Sequence, residues 1–283
     1  MKKTFLSLLA AAAFLFTACE PKNEPQGGIE IPKLDPATEN YERTLMLEQF
    51  TGQGCGYCPT GASIIKEGIA GIEDRVIWTA HHAGYAADDF TISNSESLVA
   101  TFGVNGAPAM MLNRETTTFA YKTQTGGTMD QTLLIHTPTG FAAPATTFKA
   151  ELEKEGEATV HIKTALNNNQ LTVAVYGAVK EQQDIRITTY IQENKLIAEQ
   201  TDFTLPSPYK NPSYEHNHVP RVFMSATLGD AVTPENKLYQ KTYTVELNSE
   251  WNLDNCEVVA FVTKKTGYKP VLNATSAPVQ AAQ

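Results

Sequence analysis

The chain has 283 residues, 42% of them hydrophobic, with 22 basic and 31 acidic side chains and a formal net charge of -9 at pH 7. That length and apolar content suffice for two modest globular units with real cores. The acidic balance, without a basic patch, argues against a nucleic-acid partner and otherwise favours solubility.

Residues 1–18, MKKTFLSLLAAAAFLFTA, carry Lys2 and Lys3, an apolar run from Phe5 to Phe16, and small residues before Cys19. A basic head, a short apolar stretch and a small-residue end make an export signal. No later stretch approaches the roughly 20 apolar residues of a spanning helix. Phe16-Thr17-Ala18-Cys19 resembles a bacterial lipobox, with Phe16 where leucine is usual. The resemblance implies that Cys19 is acylated, becomes the mature N-terminus and holds the protein on a membrane, each buried methylene contributing ~0.8 kcal/mol. The alternative is ordinary cleavage nearby, leaving Cys19 a free thiol. Glu20, where aspartate would resemble an inner-membrane retention signal, directs the expectation to the outer membrane, on either its periplasmic or its cell-surface face. Without Lys2 and Lys3 the basic residues fall to 20 against 31 acidic ones.

Residues 19–40 hold four prolines and a Gly-Gly with no apolar periodicity, the pattern of a tether, so order is expected from about Tyr41. LMLEQF, at 45–50, reads as a strand and TGQG as a turn. PTGASIIKEGIAGI, at 59–72, reads as a helix with Ala62, Ile65, Ile69 and Ile72 on one stripe. RVIWTA at 75–80 reads as a strand covered on both faces, SESLVATF at 95–102 as a helix, and AMMLN at 109–113 as a strand. This alternation predicts an α/β unit over 41–150, with TQTGGT as loop and FKAELEKE as a closing helix. From residue 151 to 283 the pattern changes to period-two strands: 160–166, LTVAVYGAV, IRITTYIQ, YTVEL and CEVVAFV, with turn signals between them. These predict a β-sandwich of immunoglobulin-like type.

Apart from Cys19 there are three cysteines: Cys55, Cys58 and Cys256. Export places them where disulfides persist, yet they are too few for a multi-bridge framework. Cys55-Gly56-Tyr57-Cys58 stands open to three readings: a redox pair, half of a metal site, or a structural disulfide. Cys55 falls between a strand and a helix N-terminus, where the unpaired N–H groups and the dipole favour a thiolate, and Pro59 suits the first helical turn. A closed metal site commonly needs a second CxxC or two histidines, and no second CxxC exists. His81 and His82 end the RVIWTA strand and are candidate modulators of the thiol pKa. Adjacent strand residues point oppositely, so at most one faces the cysteines. His216 and His218, in YEHNHVPR, have chelate spacing but no further ligand in sight, and read as a surface loop. Cys256 reads as a small buried hydrophobe.

Residues 44–114 resemble a thioredoxin-like fold on the strength of strand, CGYCP, helix and the later VNGAP. That resemblance implies an attacking Cys55, a resolving Cys58, and a cis Pro108 whose Ala107 backbone holds a substrate strand beside Tyr57. Gln49 stands where that family has a buried aspartate, and Gly54 where it has tryptophan, which counts against efficient reductase activity. The Gly-Tyr dipeptide is similar to that of some periplasmic disulfide isomerases. Across LEQFTGQGCGYCP, HHAG, GAPAMMLNR and YEHNHVPR, the chain resembles a Bacteroidota family of outer-membrane lipoproteins of about 28 kDa. Its members couple a thioredoxin-like domain to a β-sandwich, and surface adhesion has been attached to the name.

The expected function is therefore lipid-anchored thiol–disulfide exchange on exported proteins, with no metal or organic cofactor required. The alternative is a surface lipoprotein of adhesin type that binds host or envelope proteins, its CxxC a structural disulfide.

Overall fold

The structure is a computed structural model that describes residues 29–115, 117–119, 129–131, 133–135 and 145–279. The export signal, Cys19, the start of the tether and the TQTGGT loop lie outside the described residues. In chain order the elements are β1 (Leu45–Thr51), α1 (Cys58–Gly68), β2 (Val76–His82), α2 (Ser93–Phe102), β3 (Ala109–Leu112), β4 (Thr117–Phe119), β5 (Met129–Gln131), β6 (Leu133–Ile135) and α3 (Ala145–Leu152). There follow β7 (His161–Asn167), β8 (Gln170–Ala178), β9 (Ile185–Glu193), β10 (Leu196–Thr201), β11 (Lys210–His216), β12 (Val219–Phe223), β13 (Asp230–Val232), β14 (Leu238–Glu246), β15 (Cys256–Lys264) and β16 (Val271–Pro278).

The first sheet has the order β2-β1-β3-β6, in which β1 runs parallel to β2 and antiparallel to β3. β1 is buried along its whole length because its two faces meet different partners. Leu45 and Leu47 pack with Ile65, Ile69 and Phe148 beneath α1 and α3. Met46, on the opposite face, packs with Tyr190, Val259, Phe261 and Val271 of the neighbouring sheet. That sheet runs β12-β9-β15-β16, with β13 also on β9, and it faces a second antiparallel sheet, β14-β8-β7. Between the two lies the largest apolar core, built from alternate residues such as Val173, Val175, Ile185, Ile187, Val258 and Val262.

The expected fold class, an α/β thioredoxin-like unit followed by an immunoglobulin-like sandwich, is corrected by this architecture. The described residues form sixteen strands against three α-helices, in five small sheets with one parallel pairing among them. The physical reason lies in what covers the first sheet. An α/β layer needs helices over both faces of a largely parallel sheet. Here β3 and β6 return antiparallel, and strands of the next sheet cover much of the Met46 face. The molecule is predominantly β. Two smaller differences follow the same logic. α1 stops at Gly68 rather than 72, and segment 29–40 is not wholly a free tether. Lys163 Nζ donates to the Glu30 carbonyl at 2.9 Å, and His161 Nε2 lies 2.8 Å from a Glu39 carboxylate oxygen.

A buried ion pair of the first sheet lies against the second. Arg114 donates from Nε and Nη2 to both Glu48 oxygens at 2.7 Å, with its guanidinium between the rings of Phe102 and Phe261. Asn113 and Arg114 adopt left-handed backbone conformations there. Asn113 bonds through backbone and side chain to Met46, and its carbonyl accepts from Val271 N. Thr79 adds a second tie, touching the Tyr190 hydroxyl at 2.7 Å and donating to Gln192 Oε1 at 2.8 Å.

Candidate functional site

β1 ends at Thr51 and the chain turns through 52–57 into α1. Cys55 N donates to the Gly52 carbonyl at 3.0 Å and Cys58 N to the Cys55 carbonyl at 3.1 Å. Pro59 takes the first helical turn, where no N–H partner is required. Cys55 and Cys58 are joined as a disulfide and each is 2% exposed.

Their burial comes from a distant part of the chain. The β10–β11 hairpin lies over the turn: Gln200 Nε2 donates to the carbonyls of Gly52 at 3.1 Å and Cys55 at 3.0 Å. Thr201 N donates to the Gln53 carbonyl at 2.7 Å and Phe203 N to that of Gly56 at 3.0 Å. The Phe203 ring lies so close to the turn that a Cβ on Gly56 would come within 2.5 Å of it. Tyr57 meets Phe203 edge-on at 4.9 Å, and Phe203 meets Tyr209 at 5.4 Å. Their outer edges, with Tyr85 beside Gly54, make an exposed aromatic face at 39–55% exposure.

Ala107-Pro108 is cis, and Pro108 packs directly on α1, where a Cβ on Gly61 would approach its Cβ to 2.8 Å. His82 and His81 separate as strand alternation demands. His82 lines the same cavity as Cys58 and donates from Nδ1 to Asp88 Oδ2 at 2.8 Å. Burial raises the Asp88 pKa, but the His82 contact and backbone N–H donors outweigh it and hold the carboxyl below its usual value. His81 is fully buried on the other face, with Nδ1 3.0 Å from Ser95 Oγ and Nε2 3.5 Å from Glu48. Burial likewise raises Glu48, yet the Arg114 charge and hydrogen bonds hold it at about 2. His81 therefore lies beside the Glu48–Arg114 ion pair, on the face away from the cysteines.

The reading of His216 as surface loop is corrected: it ends β11, is buried, and packs its ring against His82 and Phe90. Burial, then the charge of His82, pushes it down to about 4. His218 stacks on Trp78 at 4.8 Å, and its pKa too is lowered by burial. Among the described residues no group of three or more His, Cys, Asp or Glu is placed to hold a metal ion. Cys256 is buried on β15, its thiol pushed up to about 12 by burial and then by Glu193.

A cavity of about 560 Å³ opens beneath the disulfide, between α1, the outer face of β1–β2 and the hairpin. Its walls follow from two periodicities: Cys58, Ala62, Lys66 and Ile69 form one stripe of α1 and the turn after it, while Val76, Trp78, Ala80 and His82 are alternate residues of β2. The sequence missed the hairpin cover, Asp88 and this cavity. The available signal was Phe203 and Tyr209 flanking a proline-bearing turn, where exposed aromatics are unexpected.

Fold and site define a β-rich protein whose one described disulfide is clasped by a strand hairpin. Residues 95–283 match the family described as Outer membrane protein Omp28, and the chain belongs to that family. Its place is accordingly the outer membrane. Among solved structures, HBP35 of Porphyromonas gingivalis is similar at TM-score 0.65 and 19% identity, over 86% of this chain and 77% of that one. A domain of the outer membrane lipoprotein Omp28 from the same organism aligns at TM-score 0.32 and 13% identity, over 45% of this chain and 92% of that one. No curated protein matches the chain by sequence.

Proposed function

We propose that this chain is a lipid-anchored binding protein of the outer membrane, in which Cys55–Cys58 is a structural bridge rather than an exchange centre. The observation that carries the reading is the clasp. The sulfurs are bonded to each other and both cysteines are 2% exposed, beneath four hydrogen bonds from Gln200, Thr201 and Phe203. A client thiolate must reach a sulfur in line with the bond it breaks, and access governs that rate. The bridge instead stiffens the turn that carries Tyr57, so that Tyr57, Phe203, Tyr209 and Tyr85 are presented as one rigid aromatic face. Aromatic side chains of this kind are enriched where proteins bind one another. Acylation at Cys19 supplies the anchor, and host or envelope proteins are the partners.

Two assays test this. The purified chain should fail to catalyse insulin reduction, and it should bind an immobilised outer-membrane protein fraction. A Tyr57→Ser/Phe203→Ser/Tyr209→Ser variant that melts like the wild type should lose that binding. Catalysed insulin reduction that disappears in Cys55→Ala would overturn the proposal in favour of thiol exchange with exported proteins.

A further inference from the structure

The cavity beneath the bridge is separate from the exposed aromatic face and carries a site of its own. Gln49 lines it, is 2% exposed, and accepts from Trp78 Nε1 at 3.1 Å through Oε1. An indole nitrogen donates only, so the carboxamide oxygen must face Trp78 and the amide Nε2 must face away. Among the described residues Nε2 has no acceptor, and it is not a fully enclosed atom, so it stays accessible from the cavity. The surrounding wall carries no unpaired charge within it. Trp78 and His218 form a stacked pair, 24° from parallel, and Ala62, Ile69 and Val76 add aliphatic surface. The lining charges, Lys66, Glu73 and Glu215, all belong to exposed residues at the rim. Burial lowers the pKa of both His216 and His218, and His82 is already paired with Asp88 Oδ2 at 2.8 Å, so no unpaired cation waits inside for an anion. The volume falls within the usual 300–1,000 Å³ of small-molecule sites, which pair apolar walls with a few placed polar groups.

From this geometry we infer that the cavity binds a neutral, planar, mainly apolar small molecule whose carbonyl accepts from Gln49 Nε2, a carboxamide or ring lactam in chemical class. The flat body lies against the Trp78–His218 wall and the carbonyl accepts from the cavity-facing Nε2. An ionised ligand is disfavoured because its charge would be taken from water with no unpaired counter-charge inside.

The test uses three probes of one shape on the soluble chain, 2-naphthamide, naphthalene and 2-naphthoate, by calorimetric titration and saturation-transfer NMR. 2-Naphthamide should bind best and 2-naphthoate at least about tenfold more weakly. Gln49→Leu should weaken 2-naphthamide roughly five- to tenfold, the value of one hydrogen bond, and leave naphthalene unchanged. Ala62→Phe should abolish binding of both by filling the cavity; if that variant melts early, Ile69→Trp serves instead. The inference is overturned if wild type binds no probe at about 1 mM. It is equally overturned if naphthalene and 2-naphthamide bind alike and ignore Gln49→Leu, or if binding survives a well-folded cavity-filling variant.

Discussion

Gln200→Ala isolates the clasp from the bridge it covers. Gln200 is 2% exposed and its Nε2 reaches the Gly52 and Cys55 carbonyls at 3.1 and 3.0 Å, besides that of Thr201 at 2.9 Å. Truncation removes two bonds that join hairpin to turn, each contributing about 1 kcal/mol net, so local opening of the hairpin becomes easier by about 2 kcal/mol. A reductant attacks only the opened form when reclosing is fast, and every 1.4 kcal/mol is about tenfold in its population. Reduction by dithiothreitol should therefore accelerate roughly 30-fold in the variant. The assay is timed quenching with N-ethylmaleimide followed by intact mass, at a temperature where both proteins remain folded by circular dichroism. Equal rates in the two proteins, each as fast as a small peptide disulfide, would refute the reasoning: the hairpin would then not guard the sulfurs.

Gly56→Ala places a methyl 2.5 Å from the Phe203 ring, so the ring must move; a loss of about 1–3 kcal/mol and faster reduction are expected, read by urea titration and the same quench. Glu48→Gln removes the counter-ion of the fully buried Arg114, and urea denaturation at pH 7 should show a loss of about 3–5 kcal/mol. In the wild type, Glu48 sits at about 2 against an ordinary 4.5. Its folded pKa is depressed, so its stabilisation is complete above pH 4.5 and drains away as pH falls towards 2. Urea midpoints across that interval should fall more steeply for wild type than for Glu48→Gln. Cys256, buried with its thiol pushed up to about 12, should resist iodoacetamide in the native protein and react once urea unfolds it; rapid native alkylation would contradict its placement.

Local structure was readable where one short segment carried its own pattern. The LMLEQF strand of β1, the CGYCP start of α1 and the strand pattern of β8 and β15 all appear within a residue or two of their expected places. The end of α1 was misjudged because Ile69 and Ile72 still pack on the core after the helix has stopped, so apolar periodicity outlasts the hydrogen bonds. The fold class was misread because strand–helix alternation says nothing about what covers each face, and Met46 turns out to meet strands from beyond residue 185. The clasp is of the same kind: Gln200 reaches a carbonyl 145 positions earlier in the chain. β10 and β11 are too polar to advertise a buried partner, and His216 sits in a polar stretch that looks like surface loop. Only the assembled structure places that histidine against His82.

The equilibrium reduction potential of Cys55–Cys58 in the full folded chain, measured against glutathione and dithiothreitol buffers, bears most directly on the claim that the bridge is structural. Because the folded protein buries and clasps the oxidised form, the potential should lie below about -300 mV, the range of structural disulfides. A value between about -120 and -200 mV, the range of oxidising and isomerising exchange proteins, would contradict it.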